Sequence, residues 1–183
     1  QARPAPGPLS AGLDHAFAPS AVAAAGGSGH VYVVNRVIGG RVEQFDPAGT
    51  WLSGWGGPGS DPGQFNAPED LTVDGTGQVL VADSSNGRIQ VFSADGAHQA
   101  SWAGLVGARD VATDPATGNA YVLLGGDRVQ VLLPDGTRSK VIEAGTLGAD
   151  FSPAARIAIG LDGRLAVTTG DGSADGSQGL RQY

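Results

Sequence analysis

Three arginines recur in similar surroundings, each at the start of a short alternating segment that a glycine turn follows. They are Arg41 in GGRVEQFDPAG, Arg88 in NGRIQVFSADG and Arg128 in GDRVQVLLPDG. A guanidinium group keeps its positive charge and donates hydrogen bonds in a planar fork, so it can pair with a carboxylate or bind an anionic ligand. Because a residue stated once per repeat serves the repeat more readily than one site, we predict a structural role, for example pairing of Arg88 with Asp83.

A second set of charged residues stands near the start of the first apolar segment of each repeat. These candidate ligand-binding residues are Glu69, Asp70, Arg109, Asp110 and Arg156. The first repeat has Ala21 at this place, and unequal residues at one equivalent position are typical of a binding site on a repeated scaffold. Asp70 and Asp110 are candidate ligands for a hard cation, although two carboxylates are too few to define a metal site. The competing interpretation is a solvated, charge-balanced rim.

The remaining motifs give no positive evidence of catalysis. GWGGPG (54–59) is not followed by a helical pattern, so it does not predict a dinucleotide site. DGSADG (171–176) resembles half of a calcium loop, but Gln182 stands where the bidentate glutamate belongs, which favours a polar hairpin loop. Neither G-x-S-x-G nor G-x-x-x-x-G-K-[ST] occurs in the sequence. We therefore assign no catalytic residue.

The composition narrows both the fold class and the partners. The 183 residues include 31 Gly and 11 Pro, which favours the many turns of an all-β protein. The net charge is −7 and Lys140 is the only lysine, so a phosphate backbone would be repelled and we expect no nucleic-acid partner. The chain has no Cys, which excludes thiol chemistry. No apolar run approaches membrane-spanning length, so we expect no transmembrane segment in this chain.

The charged positions belong to a repeated unit. The clearest copy is FNAPEDLTVDGTGQVLVADSSNGRIQVFSADGAHQASW at 65–102, and an earlier copy at 17–55 precedes it by about 47–49 residues. A third copy covers 108–136, and a fourth begins at 151. Repetition at this period indicates an architecture built from one supersecondary unit.

The repeated unit contains four short apolar or alternating runs with glycine turns between them, which predicts four strands, although the second half of the fourth copy is degenerate. In RIQVF the alternation places Ile89 and Val91 on one face of the strand. Arg88, Gln90 and Phe92 fall on the other face. A four-stranded antiparallel unit of about 45 residues is the sequence pattern of a β-propeller blade. The predicted fold class is therefore all-β, with a β-propeller architecture.

This pattern resembles the NHL-repeat family, whose repeat reads roughly G-x-F-x-x-P-x-G-hydrophobic, then G-x-hydrophobic-x-V-x-D, then N-x-R-hydrophobic-x-x-F-x-x-x-G. The matching residues of the second copy are Gly63, Phe65, Pro68, Gly77, Val81, Asp83, Asn86, Arg88, Ile89, Phe92 and Gly96. Asp70 departs from the pattern, because the family usually has Gly there. The GH…WD signature of WD repeats is absent. The resemblance implies a propeller that is commonly six-bladed. Since six blades need roughly 270 residues, we expect this chain to be a fragment of a longer ring.

The sequence predicts a Pro/Gly-rich linker, or the remnant of a preceding blade, at 1–16 and an NHL-type propeller segment at 17–183. The expected blades are at about 17–64, 65–104, 105–150 and 151–183. We expect a non-catalytic binding module without a cofactor. It would contact a protein, a peptide or a small polar ligand through its loops and the mouth of the propeller channel. We also expect attachment to a larger chain and an extracellular or periplasmic location.

The resemblance also leaves an enzyme open as the alternative. Six-bladed lactonase-like and amidating-lyase-like relatives hold calcium or zinc in the channel, which would make Asp70 and Asp110 ligands of calcium. Some NHL propellers bind RNA, but the net charge of −7 argues against that function here.

Overall fold

The structure is a computed structural model that describes residues 17–125, 128–143, 156–169 and 179–182. The described residues form antiparallel sheets in which strands follow one another in sequence order. Blade 1 consists of β1 (Pro19–Ala24), β2 (Val31–Asn35), β3 (Arg41–Phe45) and β4 (Trp51–Gly56). Blade 2 consists of β5 (Pro68–Val73), β6 (Val79–Asp83), β7 (Arg88–Phe92) and β8 (His98–Ala103).

Blade 3 consists of β9 (Asp110–Thr113), β10 (Ala120–Leu124), β11 (Arg128–Leu132) and β12 (Arg138–Glu143). In blade 4 the described strands are β13 (Arg156–Ile159), β14 (Leu165–Thr169) and β15 (Gly179–Gln182). Two short 3-10 turns, Val37–Gly39 and Ser84–Asn86, join the second and third strands of blades 1 and 2. The prediction of four-stranded antiparallel blades is confirmed. The segment 1–16 and the DGSADG loop at 171–176 lie outside the described residues.

The blades pack face to face, and the first strand of each blade contacts the first strand of the next. We call β1, β5, β9 and β13 the inner strands. The central strand β6 is apolar on both faces because blade 2 is stacked between blades 1 and 3. Every residue of β6 is buried, including Asp83 at its end. Within the described residues, no helix has the length and apolar character needed to cross a membrane.

The alternation read from RIQVF is confirmed by the two cores on either side of blade 2. Phe92 lies in the core between blades 1 and 2, where its ring is 5.7 Å from that of Phe65 and 5.9 Å from that of Trp55. Ile89 and Val91 lie in the core between blades 2 and 3. A third core between blades 3 and 4 contains Ala112, Leu123, Val129, Ile157, Leu165 and Val167. The apolar faces of successive repeats therefore pack against one another, as repeat architectures require.

The repeated tryptophan and the repeated glycine of the sequence turn out to form one contact between blades. The β7–β8 turn brings Gly96 (φ +88°) against Trp55 of blade 1, and the equivalent turn brings Gly136 (φ +84°) against Trp102 of blade 2. A Cβ atom at Gly96 would lie 2.6 Å from the indole Cδ2. Glycine is thus required twice at these positions, for the left-handed backbone and for the approach of the indole ring.

Candidate functional site

The guanidinium group of Arg88 is held inside the fold. Its Nε donates to Oδ2 of Asp83 at 2.8 Å, and the Asp83 side chain is fully buried. Its Nη2 donates to the main-chain carbonyls of Asp61 and Gln64 at 3.0 and 2.8 Å. Arg88 therefore ties the long β4–β5 loop to the end of β6, and its donors serve the blade itself.

Asn86 and Gln90 complete this arrangement, and we call Asp83, Asn86, Arg88 and Gln90 the corner network. Nδ2 of Asn86 donates to Oδ2 of Asp83 at 2.8 Å and to the carbonyl of Gly59 at 2.9 Å. Nε2 of Gln90 donates to the carbonyl of Gln64 at 2.7 Å and to Oδ2 of Asp83 at 3.1 Å. A buried carboxylate that accepts several hydrogen bonds is well stabilised, because its desolvation is offset by donors.

Blade 1 holds its arginine with a carboxylate at a different position. Asn35 pairs with Arg41 in the sheet register, just as Asp83 pairs with Arg88 in blade 2. The acid of blade 1 is instead Glu43, which is fully buried and has Oε1 3.6 Å from Nε of Arg41. Oε2 of Glu43 accepts a hydrogen bond from the indole of Trp51 at 2.9 Å. The carboxylate that faces the arginine is thus on the third strand in blade 1 and on the second strand in blade 2.

The third recurring arginine lies in different surroundings. Arg128 is exposed, and Leu124 stands opposite it where blade 2 has an aspartate. The amide of Gln130, two residues further on, donates to the carbonyls of Val131 at 3.0 Å and Lys140 at 2.9 Å. The pairing of Arg88 with a buried aspartate of the second strand therefore does not extend to blade 3, because β10 has Leu124 at that position.

The carboxylates of Asp70 and Asp110 each reach the inner strand of the following blade. Oδ2 of Asp70 accepts the main-chain N–H of Val111 at 2.9 Å, and Oδ2 of Asp110 accepts that of Ile157 at 2.7 Å. An inner strand presents unpaired main-chain groups along its free edge. Each aspartate thus satisfies an edge amide of its neighbour and fixes the spacing of two blades.

The two carboxyl groups also interact with each other. Burial raises the pKa of Asp70 to about 8, and a hydrogen bond and charge repulsion from Asp110 act in the same direction. At neutral pH the Asp70 carboxyl is therefore mostly protonated and can donate a hydrogen bond to Asp110.

Both aspartates face a cavity of about 320 Å³ formed by the inner strands. Its lining residues are Val22, Ala23, Asp70, Leu71, Thr72, Asp110, Val111, Ala112, Thr113, Ile157, Ala158 and Ile159. The wall therefore combines small apolar side chains, threonine hydroxyls and main-chain groups with one acidic pair. Such a wall can hold a small ligand through a few hydrogen bonds.

The structure brings only part of the predicted binding set to this cavity. Asp70 and Asp110 line it, whereas Glu69, Arg109 and Arg156 are not among its lining residues. Glu69 and Arg109 are half-buried, and Arg156 is exposed at the start of β13. Sequence reasoning missed the edge amides of β9 and β13, because a main-chain group leaves no mark in the sequence. The signal for the aspartates was present in Asp70, which departs from the glycine of the repeat pattern.

The donor set does not fit a metal ion held by protein side chains. Calcium takes about six to eight oxygen ligands, whereas one oxygen of Asp70 and one of Asp110 already accept main-chain N–H groups. Across the part of the chain that the structure describes, no group of three or more His, Cys, Asp or Glu side chains could hold a metal ion. We therefore derive no metal chemistry from this cavity.

Four-stranded antiparallel sheets that pack face to face around their first strands define the β-propeller class. Solved structures agree with this assignment. A streptogramin B lyase structure has a TM-score of 0.65 at 18% identity, with coverage of 93% of this chain and 56% of the lyase chain. Virginiamycin B lyase from Staphylococcus aureus has a TM-score of 0.63 at 15% identity, with coverage of 93% and 57%. At these identities the likeness concerns the fold alone.

The particular kind of propeller follows from sequence comparison. The NHL repeat family matches residues 65–92. The peptidyl-glycine alpha-amidating monooxygenase of Mus musculus is 38% identical over 87 residues, which are 45% of this chain and 9% of the monooxygenase. NHL repeat-containing protein 3 of Homo sapiens is 46% identical over 75 residues, which are 37% of this chain and 20% of that protein. The chain therefore contains an NHL repeat at 65–92 and resembles NHL-repeat proteins over nearly half of its length, as its repeat pattern predicted. The matched segments span much less than two thirds of these relatives.

Proposed function

We propose that this chain is a non-catalytic binding module that holds a small polar ligand, or the end of a peptide from a partner protein, in the cavity at the inner strands. The observation that carries the proposal is the cavity of about 320 Å³ that Asp70 and Asp110 face. Ligand pockets measure about 300–1,000 Å³, so a compact ligand suits this volume.

The chemistry of the wall favours some ligands over others. The raised pKa of Asp70 keeps a proton on its carboxyl at neutral pH, so this group can donate a hydrogen bond, and the chain as a whole has a net charge of −7. An anionic ligand would be repelled, while a neutral or cationic ligand that donates hydrogen bonds would be favoured. Thr72 and Thr113 add hydroxyl groups that can both donate and accept.

The fold does not choose between binding and catalysis, because propellers host many unrelated functions. Similar proteins include an amidating monooxygenase, lyases and the E3 ubiquitin-protein ligase TRIM32 of Homo sapiens, which is 52% identical over 46 residues. Support for a binding role comes from the site itself. One oxygen of each cavity carboxylate accepts a hydrogen bond from the main chain of the next blade, which holds both side chains in fixed positions for ligand binding.

The proposal can be tested by filling the cavity from a position that makes no hydrogen bond through its side chain. Val22 lines the cavity and is 64% exposed, so Val22→Trp would occupy the space without breaking the inter-blade contacts. Val141→Trp is the matched control, because Val141 is 47% exposed on β12, outside the cavity lining. Short peptides and small amines, polyols and carboxylic acids would be screened by thermal shift, and the affinity of each positive probe measured by calorimetry.

We expect at least one amine, polyol or peptide to bind, and Val22→Trp to weaken that binding by about tenfold or more while Val141→Trp leaves it unchanged. The proposal is wrong if no probe raises the melting temperature. It is equally wrong if the probes that bind do so with the same affinity to Val22→Trp.

A further inference from the structure

Asn86 is a hydrogen-bonding residue of the fold that also stands in a chemically reactive sequence. It belongs to the corner network, and it is followed by Gly87 in the one Asn-Gly pair among the four asparagines of the sequence. Glycine has no side chain to hinder its own main-chain nitrogen, which can therefore attack the neighbouring Asn86 side chain. The nitrogen of Gly87 bonds to Cγ of Asn86, the Cγ–Nδ2 bond breaks, and ammonia leaves with the proton of the attacking nitrogen. Water then opens the cyclic imide to aspartate or isoaspartate.

The native structure restrains both reacting groups. Nδ2 of Asn86, the leaving nitrogen, donates to Oδ2 of Asp83 at 2.8 Å and to the carbonyl of Gly59 at 2.9 Å. The attacking nitrogen of Gly87 donates its proton to the carbonyl of Ser84 at 3.0 Å. Gly87 is also fixed in the left-handed region, with φ 61° and ψ 42°. Attack on Cγ requires these hydrogen bonds to break first.

The product of the reaction would not fit the closed corner. Deamidation replaces the donor at Nδ2 with a carboxylate oxygen, and this oxygen would face Oδ2 of Asp83, which is fully buried. Two acceptors of like charge would then meet where a donor and an acceptor met before. The carbonyl of Gly59 on the β4–β5 loop would lose its donor as well.

We propose that Asn86 is a covalent modification site which the closed corner protects, and that its deamidation during local opening prevents the corner from closing again. Deamidation of Asn86 therefore releases the β4–β5 loop from the corner network irreversibly. The rate of modification is set by how often the corner opens, since only the open form can react.

The test is to age the folded chain in mildly alkaline buffer beside the same chain unfolded in urea, and to follow each asparagine by peptide mapping and mass spectrometry. We expect Asn86 to deamidate at least about tenfold more slowly in the folded chain. Asn35, Asn66 and Asn119 precede residues with side chains, so they should react slowly in both states and serve as internal controls.

A pair of variants tests the second half of the proposal. Asn86→Asp mimics the product and should lower the melting temperature by about 4 °C or more. Asn66→Asp is the control, because it adds the same charge nearby on an exposed side chain. The main-chain N–H of residue 66 donates to Oδ1 of Asp83, and this substitution should change the melting temperature by about 1 °C or less. Equal deamidation rates at Asn86 in folded and unfolded chains would overturn the protection. Equal stability of the two variants would overturn the block on closure.

Discussion

Replacement of Gly96 by alanine tests how tightly two blades are packed against each other. The turn that contains Gly96 approaches Trp55 of the preceding blade, and its backbone has φ +88°. Gly77 is a matched control, because it lies in another turn of blade 2 with the same φ of +88°, and a Cβ atom added there would have no heavy atom within 4 Å. The two substitutions differ only in what the added methyl group meets.

The expected difference follows from these distances. Alanine in the left-handed region is strained by about 1–2 kcal/mol at either glycine. At Gly96 the methyl carbon would also lie 2.6 Å from Cδ2 and Cε3 of Trp55, so the indole ring must shift within its aromatic cluster. Overpacking of this kind destabilises by about 1–3 kcal/mol. Gly96→Ala should therefore lower the melting temperature by about 2–12 °C more than Gly77→Ala.

Thermal and urea denaturation followed by far-ultraviolet circular dichroism would measure this difference without relying on the fluorescence of Trp55. The same two substitutions are then made in a Trp55→Leu background, where the methyl group has room. The extra destabilisation of Gly96→Ala should disappear there. Equal effects of the two alanines in the unmodified chain would refute the reasoning, as would an excess at Gly96 that survives the loss of the indole ring.

Three further predictions concern buried charge. Burial raises the pKa of Asp70 from 3.8 to about 8, so the folded chain keeps a proton that the unfolded chain releases. Thermal melts should therefore show stability falling as pH rises from about 4 to about 8, with a smaller fall in Asp70→Asn. Arg88→Gln should cost about 3–5 kcal/mol in urea denaturation, because it removes the cationic partner of a buried carboxylate, whereas a change above about 0.5 kcal/mol for the exposed Arg128→Gln would contradict the difference between blades. Glu43→Gln should cost about 1–3 kcal/mol, and adding Asn35→Asp should recover part of this loss. If the double variant is no more stable than Glu43→Gln, a carboxylate at position 35 does not substitute for one at position 43.

The repeat made much of the scaffold predictable. Strand alternation in RIQVF correctly assigned Ile89 and Val91 to one core and Phe92 to the other, since side chains alternate between the faces of a strand. Asp83 and Arg88 could be paired in advance because Asp83 ends one strand and Arg88, five residues later, begins the next strand of the same repeat. Interactions of this short range are encoded in a local pattern.

The candidate site was less predictable. The sequence marked Asp70 and Asp110 as unusual and suggested cation ligands, while the structure shows one oxygen of each bonded to a main-chain amide of the next blade. Their partners, Val111 and Ile157, are 41 and 47 residues further along the chain. Nothing in the side chain of a valine or an isoleucine indicates which way its amide points. Asp70 and Asp110 line the same cavity because equivalent positions of successive blades are neighbours.

By itself, the sequence determined the repeated unit, its four strands, its glycine turns and its resemblance to the NHL repeat. Only the tertiary structure decided how neighbouring side chains meet: that the indole of Trp55 contacts Gly96, that Glu43 takes the place of an aspartate beside Arg41, and that two aspartates line one cavity. The physical reason is the separation along the chain between the residues that interact. Propensity and alternation act within a strand and its turn, whereas packing and desolvation depend on residues that meet only when whole sheets stack.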